Sequence, residues 1–182
     1  MIRGLLWLLG GLLLGGVVHL VTILLLPGAA TQDAYARLTP MAPVNTMAPI
    51  PPPAPDRAIL PFMDPAFAAA VCRYDLSGGP LKLTAPVSQG YTSVSFYARN
   101  GVAYYAINDR AAGRRTIELD LMTTQQHNDL PEEEDVTAAD RLIVESPSLT
   151  GLIIVRALAP EPGLMAKARE ALAAAQCRIQ PQ

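Results

Sequence analysis

The chain opens with an uninterrupted apolar run from Gly4 to Leu26, which contains no charged residue. A helix needs roughly 20 such residues to cross the hydrocarbon of a bilayer. Arg3 precedes the run and the next basic residue is Arg37, so the positive-inside rule places residues 1–3 in the cytoplasm and the rest of the chain outside. We therefore predict a single transmembrane helix over residues 4–26. A cleaved signal peptide is the alternative, and it would export the same domain.

One face of this predicted helix carries small and polar residues at a spacing of four. Gly11, Gly15 and His19 recur at that interval. Small residues let a second helix approach closely, and a polar group in hydrocarbon needs a partner. The pattern predicts a helix–helix contact through these three residues. The alternative is that glycines are common in such helices and that His19 lies toward the outer interface.

Residues 27–61 break the hydrophobic patterning. Eight prolines occur between Pro40 and Pro61, including the run Pro51-Pro52-Pro53. Because proline fixes φ and lacks a backbone donor, we expect neither helix nor sheet here. Over the 22 residues from Pro40 to Pro61, a polyproline conformation rising about 3.1 Å per residue would extend roughly 70 Å, so this stretch is predicted to be a semi-rigid spacer.

Residues 62–182 alternate between short apolar runs and turn residues. Asp64-Pro65 is typical of a helix start and predicts a short helix over Ala66–Val71, whereas Asn100-Gly101 predicts a hairpin. A helix is expected from Pro162 to Cys177. The predicted strands are Cys72–Leu76, Leu81–Thr84, Thr92–Ala98, Ala103–Asn108, Thr116–Met122, Arg141–Glu145 and Gly151–Ala157. The fold class is therefore an N-terminal transmembrane helix plus an α+β domain, mainly antiparallel β as a sandwich or open barrel, with a C-terminal helix.

The amino-acid composition limits the kinds of partner and the cellular compartment that we expect. Hydrophobic residues make up 51% of the chain, charged residues 16%, and the net charge is -2, so no basic face for nucleic acid is expected. Arginines outnumber lysines by 12 to 2, which hints at a GC-rich bacterial genome and hence at the bacterial inner membrane. Cys72 and Cys177 are the only cysteines. In an oxidising compartment they predict a disulfide, and two buried thiols are the alternative.

Few residues suggest chemistry, and we predict no catalytic residue, no metal site and no cofactor. Asn108, Asp109 and Arg110 form the most polar cluster near the strands; a turn is favoured, and a small-ligand site completed by Tyr97 and Tyr105 is the alternative. His127 is the only histidine of the domain and is interpreted as an exposed loop residue. The run Glu132-Glu133-Glu134-Asp135 is interpreted as a solvated loop.

Several short motifs of the domain occur together in a known order. They are Tyr74-Asp75-Leu76-Ser77, Pro80-Leu81-Lys82-Leu83, Pro86, Tyr91, Asn108-Asp109-Arg110, Ser146-Pro147-Ser148-Leu149 and Ile154-Val155-Arg156. Their order resembles the family called domain of unknown function 1254, over residues 70–178. The resemblance implies a β-rich fold and no particular activity. It also implies a partner, because a second domain, domain of unknown function 1214, often follows in the same chain of that family.

Two functions of different classes follow from these observations. The first is a non-enzymatic, single-pass, membrane-anchored envelope domain that works with a membrane partner, a protein carrying a domain of unknown function 1214. The second is an exported hydrolase or small-ligand-binding β-domain with a site near Asn108–Arg110. An enzyme needs a concave pocket with convergent polar groups, whereas an interaction module needs an exposed apolar surface.

The predicted topology can be tested by fusing reporters to Gln182. A reporter that is active only outside the cytoplasm should give signal, because Arg3 holds the N-terminus inside. A cytoplasm-dependent reporter at the same position is the control. Activity of that control alone would contradict the predicted orientation.

Overall fold

The structure, a computed structural model, describes residues 2–29, 33–54, 59–113, 115–130 and 142–180. The chain divides into two compact units, Met1–Asp33 and Ala34–Gln182. The predicted acidic loop at residues 132–135 lies outside the described ranges.

The first unit is built on one helix, α1, which runs from Ile2 to Ala29. Its segment Ile2–Leu26 is long and apolar enough to cross a membrane, and its large apolar side chains are exposed around the whole circumference. A signal sequence near an N-terminus has the same length and composition. The helix is therefore a candidate membrane anchor or signal sequence, and it extends the predicted span of residues 4–26 at both ends.

The second unit is a two-layer arrangement of sheets with short helices. Its helices are α2 (Ala34–Leu38), α3 (Asp109–Ala112), α4 (Thr124–Asn128) and α5 (Met165–Ala173), with short 3-10 turns at Leu76–Gly78 and Pro162–Leu164. Its strands within the described ranges are β1 (Met47–Ile50), β2 (Phe67–Asp75), β3 (Leu81–Pro86), β4 (Thr92–Ala98), β5 (Ala103–Asn108), β6 (Thr116–Thr123), β7 (Leu142–Ser146), β8 (Thr150–Leu158) and β9 (Gln176–Ile179).

The strands form a five-stranded sheet in the order β1-β2-β8-β4-β5 and a four-stranded sheet in the order β7-β6-β3-β9. Every pairing is antiparallel except β6 with β7, which is parallel. The predicted fold class is confirmed, with a sandwich rather than a closed barrel across these strands. The predicted hairpin at Asn100-Gly101 joins β4 to β5, and Gly101 has a φ of 83°, which glycine adopts without steric cost.

The core between the two sheets follows the alternation visible in the sequence. Leu81, Leu83 and Ala85 of β3 are buried, while the residues between them are less so. Across the core the five-stranded sheet contributes Tyr74, Phe96, Ile153 and Val155. Each such side chain stabilises the fold by about 1.5–3 kcal/mol when fully buried. Ala168 and Leu172 of α5 complete the core at one end.

A second apolar core covers the opposite face of the five-stranded sheet, and it is formed largely by the proline-rich stretch. Leu38, Ala42, Ala48 and Ile50 pack there against Val71, Leu152 and Ile154. The prediction that residues 27–61 form neither helix nor sheet is therefore wrong for α2 and β1, and the spacer reach of about 70 Å does not apply. Proline is tolerated because β1 is an edge strand that pairs with β2 alone.

Asn45 shows how this covering segment is held. Its carboxamide nitrogen donates to the Asp75 carbonyl at 2.9 Å, and its carboxamide oxygen accepts the Asp75 N–H at 2.8 Å. Its φ is 55°, a left-handed conformation in which asparagine is enriched. One side chain thus satisfies both backbone groups of Asp75, the last residue of β2.

The predicted helix at Ala66–Val71 is wrong, because these residues belong to β2 apart from Ala66. Asp64 accepts the backbone N–H of Ala66 through its side chain at 2.8 Å, which forms a turn. The chain then pairs with β8 from Phe67 through Asp75. A nine-residue antiparallel ladder buried on both faces outweighs the helix propensity of three alanines.

The predicted C-terminal helix exists but ends earlier than expected. It closes at Ala173, and Cys177 lies on β9, where it pairs with Leu83. Cys177 lies at disulfide-bonding distance from Cys72 of β2, with the two Cα atoms 6.4 Å apart and a sequence separation of 105. The cysteine pair therefore links the two sheets, rather than a helix to a strand.

We expect replacement of both cysteines by alanine to lower the free energy of unfolding of the intact chain. A loop of about 100 residues loses chain entropy worth up to about 4.7 kcal/mol when it is cross-linked. Chemical denaturation in detergent, followed by circular dichroism, measures the change, and reduced wild-type protein is the control. Two free thiols by mass in non-reduced wild-type protein would contradict the bond.

Candidate functional site

The polar cluster Asn108-Asp109-Arg110 is the cap and first turn of α3. The Asn108 side chain accepts the Ala111 N–H at 2.9 Å, and Gly113 ends the helix in a left-handed conformation with a φ of 61°. The Asp109 carboxylate accepts the Thr92 N–H at 3.5 Å. Arg110 is exposed. Two of the three side chains thus serve the backbone, which agrees with the favoured turn interpretation.

The two tyrosines proposed to complete a ligand site contact different cores. Tyr105 packs against the core between the sheets, whereas Tyr97 packs against the core on the outer face of the five-stranded sheet. The pairing register of β4 with β5 shifts between Phe96 and Tyr97, and this shift separates the positions of Tyr97 and Tyr105. Such a bulge re-aims side chains, and here it brings both Tyr104 and Tyr105 beside Phe96, with ring centroids 6.1 and 5.8 Å away.

Three hydroxyl groups that the sequence pattern did not predict lie together. They belong to Tyr74, Tyr104 and Ser146, and we call them the hydroxyl cluster. The Tyr74 hydroxyl lies 2.9 Å from Ser146 Oγ and accepts from the Tyr104 hydroxyl at 3.2 Å. Ser146 in turn donates to the Ser148 carbonyl at 2.6 Å. The cluster joins β2 and β5 of one sheet to β7 of the other.

The protonation of the hydroxyl cluster follows from its environment. Burial is the main cause that raises the pKa of Tyr104 well above its usual 10. Tyr74 is fully buried and Ser146 nearly so. A neutral Tyr104 can donate to Tyr74, and a satisfied buried network of this kind makes the packing of the two sheets specific. The geometry therefore supports a structural role rather than that of a nucleophile.

Gly151 makes room for the cluster. It pairs with Tyr74 across the β2–β8 ladder, and a Cβ at this position would overlap the Tyr74 hydroxyl and the Tyr97 carbonyl. A glycine inside a strand pattern often marks such a close approach. That glycine is the feature of the sequence from which the cluster could have been suspected.

A second unpredicted group surrounds Arg73, which is only 8% exposed. Its guanidinium lies 4.4 Å from the centre of the Tyr35 ring and donates to the Ala42 carbonyl at 3.1 Å. Arg99 approaches the same ring at 4.2 Å. Within the described ranges no carboxylate pairs with Arg73, so the ring and the carbonyls stabilise its charge. Arg73 thereby links α2 and the turn after it to β2.

His127 lies in α4 rather than in a loop, which corrects that interpretation. Its Nδ1 is 2.7 Å from Glu145 Oε1, and the Thr124 hydroxyl donates to Glu145 Oε2 at 2.9 Å. The hydrogen bond with His127 is the main cause that lowers the pKa of Glu145 below its usual 4.5. Glu145 is exposed and His127 is half-buried, and across the described ranges no third His, Cys, Asp or Glu joins them as a metal ligand.

These features define a class: a two-sheet β-sandwich with a cysteine pair between its sheets, preceded by an apolar helix. The chain belongs to the family described as protein of unknown function (DUF1254), whose sequence profile matches residues 44–181. The resemblance seen in the short motifs is thereby confirmed. The matched region begins before Met47, so it includes β1 of the proline-rich stretch.

Two solved structures are similar to the chain. The VPA0106 protein from Vibrio parahaemolyticus has a TM-score of 0.58 and 14% sequence identity; the match covers 81% of this chain and 34% of that one. An uncharacterized protein from Burkholderia cenocepacia has a TM-score of 0.51 and 13% sequence identity; the match covers 81% of this chain and 37% of that one. The chain thus corresponds to about a third of each, and the likeness supports the fold. A comparison with curated proteins gives no match.

The hydroxyl cluster leads to a stability prediction. Tyr74→Phe should lower the free energy of unfolding by about 1–3 kcal/mol, because Tyr104 loses its acceptor in a buried place. Gly151→Ala should also destabilise, since the new methyl overlaps a backbone carbonyl. Thermal and denaturant unfolding measure both changes. Tyr91→Phe, at an exposed position, is the control and should change little; equal effects of the two Tyr→Phe changes would contradict the assignment.

Proposed function

We propose that this chain is a non-enzymatic, membrane-anchored interaction domain of the bacterial envelope. In this proposal α1 spans the inner membrane once, with the N-terminus in the cytoplasm and the sandwich in the periplasm or outside the cell. The domain binds a membrane partner through one edge of its five-stranded sheet. The proposal rests on one observation: this edge strand, β5, contains neither proline nor a charged residue.

β5 differs from the other three sheet edges within the described ranges. β1 contains Pro49, β7 contains Glu145 and β9 contains Arg178, and proline or charge on an edge strand discourages pairing with another chain. β5 pairs with β4 alone, and residues 100–108 contain neither proline nor charge. Val102, just before the strand, is 60% exposed. The free backbone groups of β5 are suited to accept a strand from a partner.

The membrane helix offers a second surface for the same partner. A Cβ added at Gly11 or Gly15 would meet nothing within 4 Å, so this face is open to another helix. His19 lies one helical turn further along the same stripe. Close helix packing at the glycines would let His19 form a hydrogen bond across the contact.

The partner we propose is a membrane protein carrying a domain of unknown function 1214. The family resemblance implies that this domain often follows in the same chain. The two similar solved chains are also about three times as long as the part that matches here. A membrane protein carrying that domain would present a strand to β5 and a helix to the glycine stripe.

Affinity capture of the intact chain, co-expressed with a candidate protein of that type, tests this proposal. Ala106→Lys, at an exposed position of β5, should reduce recovery of the partner, because a lysine on an edge strand opposes pairing. Ala111→Lys, exposed on α3, is the matched control. Gly15→Leu should also reduce recovery, and Gly10→Leu, on a different face of α1, should not. Full recovery with both Ala106→Lys and Gly15→Leu would contradict the proposal.

A further inference from the structure

An apolar groove lies beside the β1 edge of the five-stranded sheet, at the opposite side of that sheet from β5. Its volume is about 360 Å³, within the range of about 300–1,000 Å³ typical of small-molecule sites. The wall is shared by the proline-rich stretch, the start of β2 and α5. The residues that define it here are Pro49, Met63, Phe67, Met165, Leu172 and Arg169.

The chemistry of the groove is asymmetric. The lining is apolar apart from one residue and includes Met63, Met165 and Phe67; methionine adapts its shape to flexible apolar ligands. Among the described residues, Arg169 is the one charged side chain of the lining. It is exposed, and in the described parts of the chain no carboxylate pairs with it. An arginine places its aliphatic stem along apolar surface and presents its guanidinium at the edge, where it can bind a carboxylate through two parallel hydrogen bonds.

The segment that enters the groove carries an unusual residue. Phe62, directly before Met63, is fully exposed and has a φ of 58°. For a bulky residue this left-handed conformation is a genuine outlier, and such outliers concentrate at sites of function. An aromatic side chain exposed in this way is also suited to the interfacial region of a bilayer.

We propose that this groove binds the acyl chain of a single-chain anionic amphiphile, a fatty acid, drawn from the bilayer, with its carboxylate on Arg169. The apolar lining selects a hydrocarbon chain and the lone cation selects an anionic head. The source of the ligand rests on the proposed membrane anchor: α1, which is long and apolar enough to cross a membrane, would hold the domain close to amphiphiles of this kind. This ligand is additional to the protein partner at β5.

Photo-crosslinking of the intact chain in phosphatidylcholine nanodiscs tests the proposal. The probe is lauric acid carrying a diazirine at the end of its acyl chain, and labelled residues are mapped by mass spectrometry. Labels should fall on groove residues such as Met165 and Leu172 and should be displaced by unlabelled laurate. Affinity should rise about fourfold for each added methylene until the groove is filled. Labels on α1 are disregarded, since any bilayer probe reaches that helix.

Two variants test the contributions of the ligand's head group and of its acyl chain separately. Arg169→Gln should weaken displacement of the probe by laurate about tenfold. It should leave binding of the methyl ester, which has no carboxylate, unchanged. Arg178→Gln, at an exposed position of β9, is the matched control. Ala173→Trp places an indole over the groove from an exposed position of α5 and should abolish labelling. Labels that spread over the domain without saturation would overturn the proposal. Equal labelling by the methyl ester would overturn it too, as would undiminished labelling of a folded Ala173→Trp variant.

Discussion

The fold depends on two neighbouring strands, β2 and β8, that are apolar on both faces and must be covered from both sides. Val71 and Cys72 are both buried, and so are Ile153 and Ile154, although successive residues of a strand point in opposite directions. The inner face packs on the four-stranded sheet. The outer face needs a cover of its own, and apolar side chains of α2, of β1 and of the segments beside them, such as Ala42 and Leu60, provide it.

Three consecutive residues of β2 connect the parts that this arrangement brings together. Cys72 faces inward and joins Cys177 on β9, while Tyr74, also inward, reaches Ser146 on β7. Arg73, between them, points outward and holds Tyr35 and the Ala42 carbonyl. One short segment therefore contacts both edges of the four-stranded sheet and the covering layer. A shift of the β2 register by one residue would exchange these faces and break all three connections at once.

The sequence predicts the sandwich well because its alternation is a local property. Leu81, Leu83 and Ala85 alternate with polar neighbours, and Asn100-Gly101 has the composition of a hairpin turn, so both follow from nearby residues. The covering segment does not follow from its own proline-rich composition, because what requires it is distant in sequence, the doubly apolar run Leu152-Ile153-Ile154-Val155. That run is continuous rather than alternating, which is typical of a strand buried on both faces. The hydroxyl cluster was missed for a related reason, since Tyr74, Tyr104 and Ser146 meet only across two sheets.

The strand order of the five-stranded sheet places the apolar groove and the β5 edge at opposite sides of that sheet. In the order β1-β2-β8-β4-β5 the groove adjoins β1 and the uncharged edge is β5, so four interstrand spacings of about 4.8 Å lie between them, roughly 19 Å in all. A strand that extends the sheet at β5 therefore contacts none of the groove residues. The two surfaces also differ in chemistry, because β5 offers backbone hydrogen bonds and the groove offers apolar side chains with one cation. The proposed protein partner and the proposed amphiphile would accordingly not compete for space, and coupling between them would have to pass through the shared strands β2, β8 and β4.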